Sequence, residues 1–167
     1  MREFGYEEAR TEKIIRPQKP QSGAEFDLWV TKKSARWQRK HFVQIRRYQA
    51  IECNDGMLMT TSDECWRDFV AYSFLEDYYD KKTDSLKRWL VGTAGFTDNH
   101  TEKVLEYCWI HPFWRGKGLL RYAWPKFSER FGLFHVSHPQ SNAMRGFLMS
   151  VGHQEPGQVL ELAQPTA

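Results

Sequence analysis

Residues 104–121 read Val-Leu-Glu-Tyr-Cys-Trp-Ile-His-Pro-Phe-Trp-Arg-Gly-Lys-Gly-Leu-Leu-Arg, and they join a strand, a basic glycine turn and the start of a helix. Residues 104–111 are rich in β-branched and aromatic types, and Pro112 has no N–H for a ladder, so a strand is predicted to stop there. Gly116 and Gly118 allow positive φ and close approach to a ligand. The helix that follows exposes unpartnered N–H groups at the positive end of its dipole. With Arg115, Lys117 and Arg121 around the same turn, the stretch has the layout of an anion or phosphate site.

Two nucleotide-binding patterns do not fit. A P-loop requires Gly-x-x-x-x-Gly-Lys-Ser/Thr, which is absent, and a dinucleotide fingerprint requires a third glycine where Arg121 stands. Strand alternation places Val104, Glu106, Cys108 and Ile110 on one face and Tyr107, Trp109 and His111 on the other.

The run from Val104 to His153 resembles the GNAT superfamily of acyl-CoA-dependent N-acyltransferases, whose signature is Arg/Gln-x-x-Gly-x-Gly/Ala between a strand and a helix. Here it reads Arg115-Gly116-Lys117-Gly118-Leu119-Leu120, preceded by His111-Pro112, with Leu120 in place of the last Gly or Ala. Upstream, Trp89–Thr97 looks like the preceding strand, with a turn at Asp98-Asn99-His100 leading back into 102–111. Downstream, Leu133–Ser137 looks like the fifth strand and Ser141 through His153 like the last helix and its exit. The resemblance implies an α/β domain with a central mixed, mostly antiparallel sheet flanked by helices, its fourth and fifth strands splayed. It covers about the C-terminal half of the chain.

The resemblance further implies direct transfer of an acetyl group from acetyl-CoA, or of another acyl group from its acyl-CoA, to a primary amine. Trp109, Ile110 and His111 would run beside the pantetheine arm, Arg115, Gly116, Lys117, Gly118, Leu119, Leu120 and Arg121 would cradle the phosphates, and Asn142 would contact the arm. Such transfer needs a base to free the amine lone pair and an acid to protonate the thiolate. Glu106 is the first choice of base, with His111 or a water chain next. The tyrosine that serves as acid in many members is replaced by Leu148, which leaves Ser150, Ser141, His138, Tyr107 or water. The acceptor is an amine-bearing small molecule or protein, and a homodimer is compatible with the family.

Other features set bounds. At 167 residues, 41% hydrophobic and 15% aromatic, the chain suits one folded domain with a sizeable core. Residues 1–25, with Pro17, Pro20 and Gly23, read as an extension or linker before a domain at 26–167. Cys53, Cys65 and Cys108 are odd in number and widely spaced, which favours neither a disulfide framework nor zinc and points to the cytoplasm. His135 and His138 lack a third ligand at metal-binding spacing. No apolar run reaches membrane-spanning length, and the charged N-terminus does not read as a signal peptide.

The net charge of +3 gives only mild attraction for anions. Phe26–Thr31 is a candidate first strand. The basic stretch Lys32, Lys33, Arg36, Arg39, Lys40, Arg46 and Arg47 supports a second reading, a catalytically silent module that holds nucleic acid or protein through residues 32–47. A helix is predicted over about 62–80 from its cap-type start and the spacing of Trp66, Phe69, Val70 and Tyr78. On the GNAT pattern it would border the acceptor cleft with Trp66, Tyr72, Glu76, Asp77, Tyr78 and Tyr79. Pro125 should kink the helix after the glycine turn or shorten it to about 119–124.

Overall fold

The computed structural model describes residues 18–20, 23–53, 59–80, 84–99 and 101–156. Most of the expected 1–25 extension lies outside these, as does His100 of the expected turn. In chain order the elements are β1 (Trp29–Val30), α1 (Arg36–Cys53), β2 (Phe69–Asp80), β3 (Ser85–Asp98), β4 (Lys103–Ile110), α2 (Leu119–Phe131), β5 (His135–Val136) and α3 (Asn142–Ser150). They form an α/β fold with an open five-stranded sheet in the order β1-β2-β3-β4-β5. The first three pairings are antiparallel and β4–β5 is parallel, so the sheet is mixed.

The helix expected over 62–80 is replaced by a turn and then β2. The spacing of Trp66, Phe69 and Val70 suits a helix face, but from Phe69 onward the chain pairs with β3 over the whole of β2. Val70, Tyr72 and Phe74 enter the core beneath α2, while Ala71 enters the core beneath α1. Two-sided burial by a long antiparallel partner overrides the local helical pattern. Consequently Tyr72, Glu76 and Asp77 are strand residues and do not form a helical wall.

Two aromatic layers sandwich the sheet. Phe42, Ile45 and Tyr48 of α1 pack with Trp66, Ala71, Tyr107 and Trp109 on one side. Phe127 and Phe131 of α2 pack with Tyr72, Phe96, Leu105 and Phe134 on the other. Phe96 stacks on Phe131 with ring centroids 4.3 Å apart, and Trp66 meets Phe42 edge-on at 5.0 Å, so much of the aromatic content is core.

The ladders are bulged. β3 and β4 lose register between Gly95 and Phe96, which makes Glu106 the extra residue on β4. Leu105 therefore lies in the α2 layer although Tyr107, two residues on, lies in the α1 layer. Strict alternation fails at that point, and Glu106 does not simply continue the Cys108–Ile110 face. Its Oε1 accepts the Thr97 hydroxyl at 2.6 Å.

Pro125 does not shorten α2, which runs through it to Phe131 and ends at Gly132 with φ 68°. Ala123, Trp124, Phe127 and Phe131 on its buried face hold the helix on both sides of the proline. The β3–β4 turn is held by Asn99, whose Oδ1 accepts N–H bonds from Thr101 at 3.0 Å and Glu102 at 2.8 Å. Gln18 bridges to the middle of β3, exchanging two backbone hydrogen bonds of 2.9 Å with Leu90. Among the described residues no helix is long and apolar enough to cross a membrane.

Candidate functional site

β4 and β5 pair only at Val104–His135 and Leu105–Val136, although β4 continues to Ile110. Just past that pairing the Ser137 N–H still donates to the Leu105 carbonyl at 2.9 Å. Beyond β5 the chain turns into α3, capped by Ser141, whose Oγ accepts the Met144 N–H at 3.1 Å. The apolar side of α3 then faces the outer part of β4 across a gap. A cavity of about 430 Å³ fills it, lined by Cys108, Trp109 and Ile110 of β4, by Ser141, Ala143, Met144 and Phe147 of the α3 region, by Arg115, Gly116 and Leu120, and by Gln49, Glu52 and Cys53 of α1.

The glycine turn opens onto the same place. His111 caps the short 3-10 turn at Pro112–Trp114, with its Nδ1 accepting the Phe113 N–H at 3.2 Å. Gly116 and Gly118 adopt φ of 74° and 82°, the left-handed region expected of them. Gly118 is also the N-cap of α2, and it brings no side-chain cap to the helix's first N–H groups.

The three cations of the turn play different parts. Lys117 Nζ sits 3.9 Å above the centroid of the Phe113 ring. Arg121 donates to the Ser150 hydroxyl at 2.8 Å, and that hydroxyl itself donates to the Phe147 carbonyl at 2.7 Å. Arg115 is exposed but tied back to the protein. Its Nε–H donates to the Ile110 carbonyl at 2.7 Å, and its two terminal nitrogens donate to Oε1 and Oε2 of Glu52 at 2.7 and 2.6 Å. Trp109 Nε1–H adds a bond of 2.6 Å to Oε2 of the same carboxylate. Burial pushes the Glu52 carboxyl upward, but the bonds from Arg115 and Trp109 and the nearby positive charge outweigh it and hold the group below its ordinary value.

The residues singled out in the sequence divide accordingly. Trp109, Ile110, Arg115, Gly116 and Leu120 meet at the cavity. Gly118, Lys117 and Arg121 stand on the adjoining turn and first helical residues, and Leu119 packs against the α2-side core. Asn142 starts α3 and accepts a hydrogen bond from Arg145. Glu106, His111 and Ser150 are not brought together, and none of them lines the cavity. His111 is buried in the strand end, and Ser150 is exposed at the end of α3.

Glu52 was not legible as a site residue, although it is the only acid in the 18 residues of α1. A lone carboxylate closing a basic helix was the available signal, but its partner Arg115 lies 63 positions on.

Cys108 is an inert wall, since burial pushes its thiol up to about 12. His135 pairs with Glu155 at 3.2 Å. Among the described residues no three His, Cys, Asp or Glu side chains are grouped for a metal. The basic stretch at 32–47 is not a continuous exposed stripe. Arg39 is buried and paired with Asp63 at 2.7 Å, and Arg46 is buried 5.0 Å over the Tyr107 ring.

A larger cavity of about 620 Å³ lies beside the β2–β3 hairpin, lined by Lys19, Pro20, Gly23, Ala24 and Glu25 on one side and Asp77 and residues 86–89 on the other. Two of its charges are paired, Arg88 gripping Asp77 at 2.7 and 3.0 Å, and Lys19 covers the Trp89 ring at 5.2 Å. None of its lining residues starts a helix or belongs to the basic turn at 115–121, so the β4–α3 cavity is the better site for an anion-headed ligand. No family model matches the chain, and no curated protein does.

Proposed function

We propose that the protein is an acyl-CoA-dependent N-acyltransferase of GNAT type that passes an acetyl group to a primary amine. The observation that carries this reading is the early end of β4–β5 pairing at Leu105, which leaves an open strand edge and a cavity beside an uncapped glycine turn. A narrow arm with amide groups suits a strand edge that still has hydrogen-bonding capacity, and an anionic head suits the start of α2.

In this reading, backbone N–H groups at Gly116–Arg121, with Lys117 and Arg121, hold the phosphates of the co-substrate. The edge of β4 from Cys108 to Ile110 and the apolar side chains Leu120, Met144 and Phe147 hold its arm. When bound, acetyl-CoA supplies a thioester carbon open to attack by a neutral amine. Transfer forms the amide C–N bond and breaks the C–S bond, the amine losing one proton and the sulfur gaining one.

Glu106, which accepts the Thr97 hydroxyl, and His111, whose Nδ1 accepts the Phe113 N–H, both stand outside the cavity lining. Glu52, the carboxylate that does line the cavity, is held ionised by Arg115 and Trp109 and so carries protons poorly near neutrality. Proton transfer is therefore assigned to water at the cavity, and the Ser150 hydroxyl stays on the Phe147 carbonyl. The alternative reading, a silent module binding through 32–47, is weakened by the burial of Arg39 and Arg46.

Calorimetric titration of acetyl-CoA tests the proposal. The intact protein is expected to bind in the micromolar range, and Lys117→Glu/Arg121→Glu, which reverses two exposed charges, to bind at least about tenfold more weakly. No binding by the intact protein would refute it.

A further inference from the structure

The turn was read from its sequence as three cations facing one anion, but the structure gives Arg115 a different occupation. We infer that Glu52 and Arg115 together are positioning residues, which lock the end of α1 to the turn after β4 and keep the arginine out of the anion-binding set. This inference rests on the acyl-CoA reading of the same site.

Three independent bonds fix the guanidinium: one to the last residue of β4 and a parallel pair to the penultimate residue of α1. A planar fork used in this way spends one N–H of each nitrogen, three of its five donors, on protein oxygens. The Trp109 ring lies beneath it, 5.7 Å from centroid to guanidinium carbon, and the indole N–H reaches the same carboxylate. The clamp thus ties together α1, β4 and the turn, three of the segments that border the cavity. The Glu52 charge cancels that of Arg115, so the local positive field comes from Lys117, Arg121 and the start of α2. Neither partner needs to touch the reacting atoms. Their effect is to fix where Gly116 sits relative to Ile110.

The test is acetyl-CoA affinity measured between about 0.05 and 0.3 M salt, a range over which screening separates charge contacts from geometry. The charge-neutral double variant Glu52→Gln/Arg115→Gln is expected to bind about three- to tenfold more weakly, because the turn loses its anchor, yet to keep the salt dependence of the intact protein. Arg115→Lys keeps the charge and loses the fork, and it should show the same loss with the same salt dependence. It carries the test should the double variant fail to fold. A shallower salt dependence in the double variant would show that Arg115 contacts the anion and would overturn the inference, as would unchanged affinity in both variants. If the intact protein does not bind acetyl-CoA, the acyl-CoA reading falls and this inference with it. Binding by the intact protein with unaltered variants removes the inference alone.

Discussion

A methyl group on Gly95 would lie 2.5 Å from Cε1 of Tyr107, its partner across the β3–β4 ladder, and would also strike the Phe69 ring. The absence of a side chain at Gly95 is what lets these two rings lie against the sheet beneath α1. Tyr107 in turn sets the α1 side of the strand that lines the cavity. Its hydroxyl meets Thr93 Oγ1 at 3.1 Å in the core.

Gly95→Ala is therefore expected to destabilise the protein by about 1–3 kcal/mol through overpacking. Gly92→Ala should cost at least as much, since its new carbon would meet the Trp109 carbonyl oxygen at 2.5 Å and that backbone cannot rotate away as a side chain can. Urea denaturation measures both. A neutral Gly92→Ala would show that the β3–β4 approach is looser than described.

Pro125→Ala should raise stability. The proline is exposed inside α2 and supplies no helical N–H, so alanine gains a hydrogen bond and gives up little packing. The expected gain is about 1–3 kcal/mol, read as a higher denaturation midpoint with an unchanged slope.

The clamp should be sensitive to acid. The Glu52 pKa is lowered on folding from an ordinary 4.5, so its stabilising contribution is complete above that value and is lost as pH falls through the lowered one. Glu52→Gln cannot titrate, and its melting temperature should fall less than that of the intact protein between neutrality and about pH 3. Parallel curves would mean that Glu52 is not responsible.

His153 gives a second pH effect at a higher range. It lies against Phe134 and Trp124, with centroids at 4.9 and 5.3 Å, and burial lowers its pKa from 6.5 despite Glu155 nearby. Its Nε2 is buried with no hydrogen-bond partner among the described residues. The neutral ring's contribution is intact above pH 6.5 and declines as pH drops below it toward the folded value. His153→Phe should flatten the fall in melting temperature from about pH 7.5 to 5.5, and an identical fall would assign the effect elsewhere, for example to His41, whose pKa burial also lowers.

The strand end, turn and helix start within 104–121 were read from their residues because each of those signals is local. Pro112 ends the strand, and Gly116 and Gly118 permit the turn from which the helix starts. Asn99 likewise announces its turn by its own side chain. Residues 69–80 were misread because the spacing of Trp66, Phe69 and Val70 is ambiguous until a partner strand is known. The shortening expected at Pro125 failed for a similar reason, since the aromatic residues around it hold the helix to the core.

The sequence by itself determined the strand, the positive-φ glycine turn and the helix start at residues 104–121, because backbone sterics and side-chain type act over a few neighbours. Only the tertiary structure decided which of the nearby charges remain available. Arg115 and Glu52 are separated by 62 intervening residues, yet a bidentate bond needs their atoms within about 3 Å. The bulge at Glu106 was settled in the same way, by the residues that β3 sets opposite it. Local chemistry fixes what a residue can do, and the packing of distant segments fixes which partner it meets.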